Sequence, residues 1–178
     1  MLLLVTSILV AQPASTPADD LTLLAQGTNE VQVNHNGRTR RLIITTPKTF
    51  DRQQQYPVLF CFHGAGGKAD GQSKRWSPRA DKHGLIVISA EAIQPLAKWN
   101  FKDKFHQEDY DDVGFVSKVI GILKANRIAD PEAIYATGHS SGGLFCYRLA
   151  KETSLFAALA EQAKKTIEIT QTKRVAYL

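Results

Sequence analysis

Short apolar runs, each closed by glycine, proline or a polar cluster, recur along the chain and flank one long amphipathic stretch. Residues 30–46 read as a β-hairpin. EVQVN alternates apolar and polar positions, TRRLIITTP is rich in β-branched residues, and Asn36-Gly37 between them suits a tight turn with positive φ. After the polar connection KTFDRQQQY come three short apolar runs: PVLFCF at 57–62, LIVISA at 85–90 and AIYAT at 133–137. Continuous apolar runs of this length are expected of strands buried on both faces, as in a parallel sheet covered by helices.

The segment HGAGGKADG after the first of these runs reads as a glycine-rich loop with no strong helix behind it. SPRADKH at 77–83 suits a short helix, with Ser77 as cap, Pro78 at its first position and Gly84 ending it. An irregular aromatic segment holding Trp99, Phe101, Phe105, His106 and Tyr110 leads to the clearest helix, which starts near Asp111 or Asp112. There Val113, Val116, Val119, Ile120 and Leu123 form one apolar stripe, and the acidic start favours the positive end of the helix dipole. Asp130-Pro131 marks a turn, and a further helix is expected from about Ser141 to Lys151. Strand and helix alternating three times predict a three-layer α/β fold with right-handed crossovers.

Composition adds few constraints. The 178 residues are 43% apolar and 22% charged, which fits one globular domain. The net charge of +5 is scattered; its densest part, Lys164-Lys165 with Lys173-Arg174, reads as a solvated face, so no nucleic-acid partner is expected. MLLLVTSILVA at 1–11 is too short to span a bilayer but fits the core of a secretory signal peptide. The lack of a positive n-region, and Gln12 within the small-residue pattern, leave a disordered N-terminus or a mis-set start as the other reading. The expectation is a signal and linker over 1–20, a domain over 21–178, a secreted or periplasmic location and no stable membrane anchoring. Cys61 and Cys146 are too few for a disulfide scaffold or a structural zinc site. Two separately buried thiols are favoured over a bridge, which export would make feasible.

The chemistry centres on Gly138-His139-Ser140-Ser141-Gly142, a G-x-S-x-G pattern between the β-like AIYAT and LFCYRLA. A serine on a sharp strand-to-helix turn needs small residues two before and two after, and the turn lifts its hydroxyl clear of the sheet. Ser140 is thus the candidate nucleophile. A tetrahedral intermediate also needs backbone N–H donors. Ser141 offers one, and the loop His63-Gly64-Ala65-Gly66-Gly67 offers another from Ala65 or Gly66. A phosphate-binding reading of that loop fails on its spacing.

The base is the difficulty. After Ser140 the sequence contains no Asp and no His; Glu152, Glu161 and Glu168 remain as acids, and all five histidines come earlier. The side chain of His139 is expected to point away from Ser140 and His63 to brace the loop, while His106, in the irregular segment, is left as the one histidine that could approach the site.

Several ordered motifs resemble the polyhydroxybutyrate depolymerase, feruloyl esterase and acetylxylan esterase group, the LpqC-like family of α/β-hydrolases. They are RLIITTP (41–47), PVLFCFHGAGG (57–67), ADKHGLIVISAE (80–91), WN (99–100), DDVGFVSKVI (111–120), DPEAIYATGHSSGG (130–143) and LFAALA (155–160). The resemblance implies a secreted serine esterase without metal or organic cofactor, acting on short esters of plant polysaccharides or on polyhydroxyalkanoates. It makes Ser140 the nucleophile, places Ala65, Gly66 and Ser141 at the oxyanion hole, and sets His63, Trp99 and Asn100 around the substrate. It also implies a three-layer α/β-hydrolase fold with a mostly parallel central sheet.

Two departures stand out. Ile134 occupies a position where the family usually has arginine, and EQAKKTIEITQTKRVAYL stands where its members carry further strands with the catalytic Asp and His. The sheet is therefore expected to be incomplete on its C-terminal side. Its last strand would be missing or improvised from LFAALA and KTIEITQ, leaving an open edge that invites self-association. A truncated or frameshifted gene, or completion by a partner or swapped copy, would each give this pattern. Two function classes follow: an ester hydrolase with weak or absent turnover in this form, and a non-catalytic module that binds a polysaccharide or an acylated ligand.

Overall fold

The alternation over residues 30–46 folds as expected. In a computed structural model, which describes residues 21–93, 97–101 and 111–162, β1 (Gly27–His35) pairs antiparallel with β2 (Arg38–Thr46). Asn36 and Gly37 make the turn, both at positive φ. Val31 and Val33 of β1 and Leu42 and Ile44 of β2 join the main core.

The three apolar runs become β3 (Tyr56–Phe62), β4 (Ile86–Ala90) and β5 (Ala129–His139), and β6 (Ala158–Gln162) follows. The sheet order is β1-β2-β4-β3-β5-β6. Strands β4, β3, β5 and β6 run parallel, while β2 pairs antiparallel with β4. Among the described residues β1 and β6 form the edges. LFAALA does supply part of the last strand; KTIEITQ lies outside the described residues.

Helices cover both faces, which explains why β3 and β4 lack polar alternation. Phe60, Phe62, Ile86 and Ile88 pack with Phe115, Val116, Val119, Ile120 and Leu123 of α3 (Asp112–Ala125) and with Phe145 and Leu149 of α4 (Ser141–Glu152). On the other face Cys61 and Val87 meet Trp76 of α1 (Ala69–Trp76) and Ala80 of α2 (Pro78–His83). Cys61 and Cys146 sit in different clusters, both buried, and no disulfide joins them. The result is a three-layer α/β structure with a mixed, mostly parallel sheet.

Three details correct the sequence reading. The last three residues of the glycine-rich segment already belong to α1, whose buried side chains are only Ala69, Ser73 and Trp76. Ser77 makes no side-chain cap: its backbone is helical and joins α1 to α2. Asp130-Pro131 does not end a segment but lies within β5. Pairing with β3 runs from Tyr56↔Ala129 to Val58↔Ile134, so the intervening residues of β5 are accommodated as a bulge.

Candidate functional site

Strands β3, β4 and β5 deliver the site at their C-terminal ends. Ser140 follows β5 at φ 54°, ψ −119° and heads α4. A β-carbon at Gly138 would lie 2.2 Å from the carbonyl group of Gly142, and one at Gly142 would lie 2.4 Å from Phe62 O. The two glycines of the pattern thus let β5, the start of α4 and the end of β3 touch through backbone alone. Ser140 is exposed at the tip, and its hydroxyl makes no hydrogen bond among the described residues.

The loop after β3 lies against this turn. A β-carbon at Gly64 would sit 3.4 Å from Cβ of Ser140 and 3.3 Å from the ring of His139. Gly66 N–H donates to Ala97 O at 2.9 Å and Gly67 N–H to Gly64 O at 3.0 Å. Ala65 N–H and Ser141 N–H donate to nothing among the described residues. The choice between Ala65 and Gly66 as a free donor therefore falls to Ala65, because the amide of Gly66 is already taken.

Comparisons with known proteins fit this geometry. No family model matches the chain. It is 28% identical over 159 residues to a protein named "Putative esterase NocK" from Nocardia uniformis subsp. tsuyamanensis, covering 86% of this chain and 46% of that one. Among solved structures, an acetyl xylan esterase from Aspergillus awamori superposes with a TM-score of 0.63 at 18% identity, covering 75% of this chain and 51% of that one. The LpqC poly(3-hydroxybutyrate) depolymerase from Bordetella parapertussis gives 0.60 at 24% identity, covering 76% and 51%. The chain has the α/β-hydrolase fold. The likeness is distant and spreads over several esterases and depolymerases without singling out one group. The chain spans less than half the length of the curated relatives it matches.

Two residues that the resemblance sets around the substrate are buried instead. His63 is 2% exposed. Its Nδ1–H donates to Gly64 O at 2.7 Å, and its Nε2 accepts from Ala92 N–H at 3.0 Å. A carbonyl only accepts and an amide only donates, so these partners fix a neutral ring with the proton on Nδ1. No ring nitrogen is left for a substrate. Trp99 is 1% exposed, stacks on Phe145 at 11° and donates its indole N–H to His63 O at 2.9 Å. Asn100 is half-buried, with its N–H on Asp112 Oδ2 and its carbonyl on Arg148. His63 and Trp99 brace the loop, Asn100 ties instead to α3 and α4, and Ala92, Ala97 and Arg148 complete these contacts. Nothing in the sequence singled out those three, because the contacts run through backbone or across long separations.

No histidine among the described residues hydrogen-bonds Ser140. His35 pairs with Asp111 at 3.0 Å, His63 is committed, and His83 and His139 are exposed. His106 lies outside the described residues. Among the described residues no group of three or more His, Cys, Asp or Glu side chains is placed to hold a metal ion. None of the described helices is long and apolar enough to cross a membrane.

Two consequences are measurable. A non-glycine residue at positive φ costs roughly 1–3 kcal/mol. Ser140→Gly should therefore raise the urea midpoint by the equivalent of about 1 kcal/mol after glycine's own entropy cost, whereas Ser140→Ala should not. Burial holds the His63 pKa below its ordinary value. The folded state thus binds fewer protons than the unfolded one as pH falls past about 6.5. The stability from neutral His63 is complete above that unfolded pKa and is lost as pH falls through the lower folded value. Urea unfolding at about pH 7.5 and about pH 5 should show a larger drop for wild type than for His63→Gln. Equal drops would remove His63 as the cause.

Proposed function

We propose that Ser140 is the nucleophile of a serine-type carboxylic ester hydrolase, with Ala65 N–H and Ser141 N–H as its oxyanion donors. The observation that carries this reading is the backbone of Ser140. A serine held exposed at strained angles, beside a loop with an uncommitted amide, is costly to keep without a use for its hydroxyl. In the reaction Ser140 Oγ would attack the ester carbonyl, the alcohol would leave with a proton, and water would hydrolyse the acyl-enzyme. Gly66 takes part by fixing the loop rather than by donating. The substrate class follows the resemblance: acetyl or feruloyl esters on plant polysaccharides, or polyhydroxyalkanoates. Export, suggested by residues 1–11, belongs to the same proposal. The mechanism calls for no cofactor.

No base for Ser140 is present among the described residues, so turnover by these 178 residues alone should be weak or absent. The test is p-nitrophenyl acetate hydrolysis by the purified protein and by Ser140→Ala, with mass spectrometry for an acetyl adduct on Ser140. A higher rate or an adduct in wild type alone supports the reading; equal rates with no adduct overturn it here. The lack of a base beside Ser140 among the described residues favours a second reading, a module that holds an acylated polysaccharide without cleaving it. Binding to insoluble xylan without acid release, retained in Ser140→Ala, would support that reading.

A further inference from the structure

We infer that Trp99 is a positioning residue that sets the spacing between the two oxyanion donors. The inference rests on the acyl-transfer reading of the site. The donors sit on different elements: Ala65 on the loop after β3 and Ser141 on the first turn of α4. Three observations make Trp99 the connection between them. Its indole N–H holds His63 O at 2.9 Å, next to the loop that carries Ala65. The same ring lies flat against Phe145 of α4, with centroids 5.0 Å apart, and edge-on to Phe62 at 4.9 Å. The carbonyl it holds is also the point where β3 meets α4, since a β-carbon at Gly142 would lie 2.7 Å from His63 O.

One rigid side chain therefore grips the loop through a hydrogen bond and the helix through ring stacking. The adjoining backbone reinforces the grip. Ala97 O takes Gly66 N–H, and Ala92 N–H takes His63 Nε2, so the segment around Trp99 and the loop are tied at three places. At 1% exposure Trp99 touches no substrate. Its effect on catalysis would come through loop geometry, where an error of about 1 Å is enough to weaken a preorganised donor.

The test compares Trp99→Phe, which keeps a stacking ring and removes the N–H, with Val119→Ala, a core truncation in α3 outside this contact set. Two readouts are taken on the whole chain. The first is amide exchange at Gly66, Gly67 and Ala92, expected to be roughly tenfold faster in Trp99→Phe but not in Val119→Ala when the two are compared at equal global stability. Equal exchange in the two variants overturns the inference. The second is phenylboronic acid binding followed by boron NMR. The Ser140 oxygen forms a bond to boron, its proton passes to water, and the tetrahedral anion takes the place of the oxyanion. Affinity should fall roughly tenfold in Trp99→Phe alone. If wild type does not bind the boronate, the esterase reading fails, and the exchange result still decides whether Trp99 positions the loop.

Discussion

Gly138→Ala is expected to abolish cooperative folding, or to leave a protein less stable by about 3–5 kcal/mol, a large share of the 5–15 kcal/mol typical of a domain. The added methyl would meet the carbonyl carbon and oxygen of Gly142 at 2.2 Å and the nitrogen of Gly143 at 2.6 Å. All three are backbone atoms, so no side chain can swing aside, and α4 would have to move off β5. That movement is opposed by Phe145 and Leu149, both fully buried beneath α4. Gly142→Ala should behave alike, since its methyl would meet Phe62 O at 2.4 Å. Gly121 is the control: it lies in α3 with nothing within 4 Å of an added β-carbon, so Gly121→Ala should stabilise by about 0.5–1 kcal/mol. Urea unfolding followed by circular dichroism separates the cases. A wild-type midpoint for Gly138→Ala would show that the turn has slack these contacts deny.

Why this turn was legible while other parts were not has a physical basis. The G-x-S-x-G constraint is local: five consecutive residues state both the need for close approach and the reason for it. The parallel strands were equally plain, because burial on both faces leaves a continuous apolar run. Helix α1 was hidden because its inward positions, Ala69, Ser73 and Trp76, include only one large apolar residue. The bulge in β5 was hidden because Asp130-Pro131 has the composition of a turn whether or not the strand resumes. At the site, sequence pattern pointed to the loop and Ser140 and to His63 as a brace of that loop, but the resemblance also set His63 and Trp99 around the substrate, where their burial leaves no room for it. Polar residues next to a candidate site were assigned to the ligand, whereas their polar atoms point back into the fold. Choosing Ala65 over Gly66 required knowing that Ala97 O, some thirty residues away, occupies the other amide.

One clue of that buried kind was available. Arg40 shares the parity of Leu42 and Ile44 in β2, which puts it on the inward face, and an inward arginine demands a partner. The partner is Asp112, the first residue of α3, at 2.7 Å, with Arg40 4% and Asp112 1% exposed. The guanidinium also lies 4.2 Å from the Phe115 ring centroid and donates to Glu91 O at 3.2 Å. Arg40→Met should cost about 3–5 kcal/mol, because it leaves the Asp112 carboxylate buried without its counter-charge. The cost should exceed that of many core truncations for a further reason. Asp112 Oδ2 holds Asn100 N–H at 2.7 Å, so an unpaired Asp112 that protonates or turns towards water releases the residue following Trp99. Adding Asp112→Asn removes the stranded charge while keeping an acceptor for Asn100, and should recover about 2 kcal/mol in a double-mutant cycle. Recovery is favoured because the pair is imperfectly satisfied as it stands: Arg40 Nε is buried without a hydrogen-bond partner among the described residues. If Arg40→Met instead unfolds within about 0.5 kcal/mol of wild type, the carboxylate has found water or a proton at little cost. The link from the β1–β2 hairpin through α3 to the loop beside Ser140 would then be dispensable.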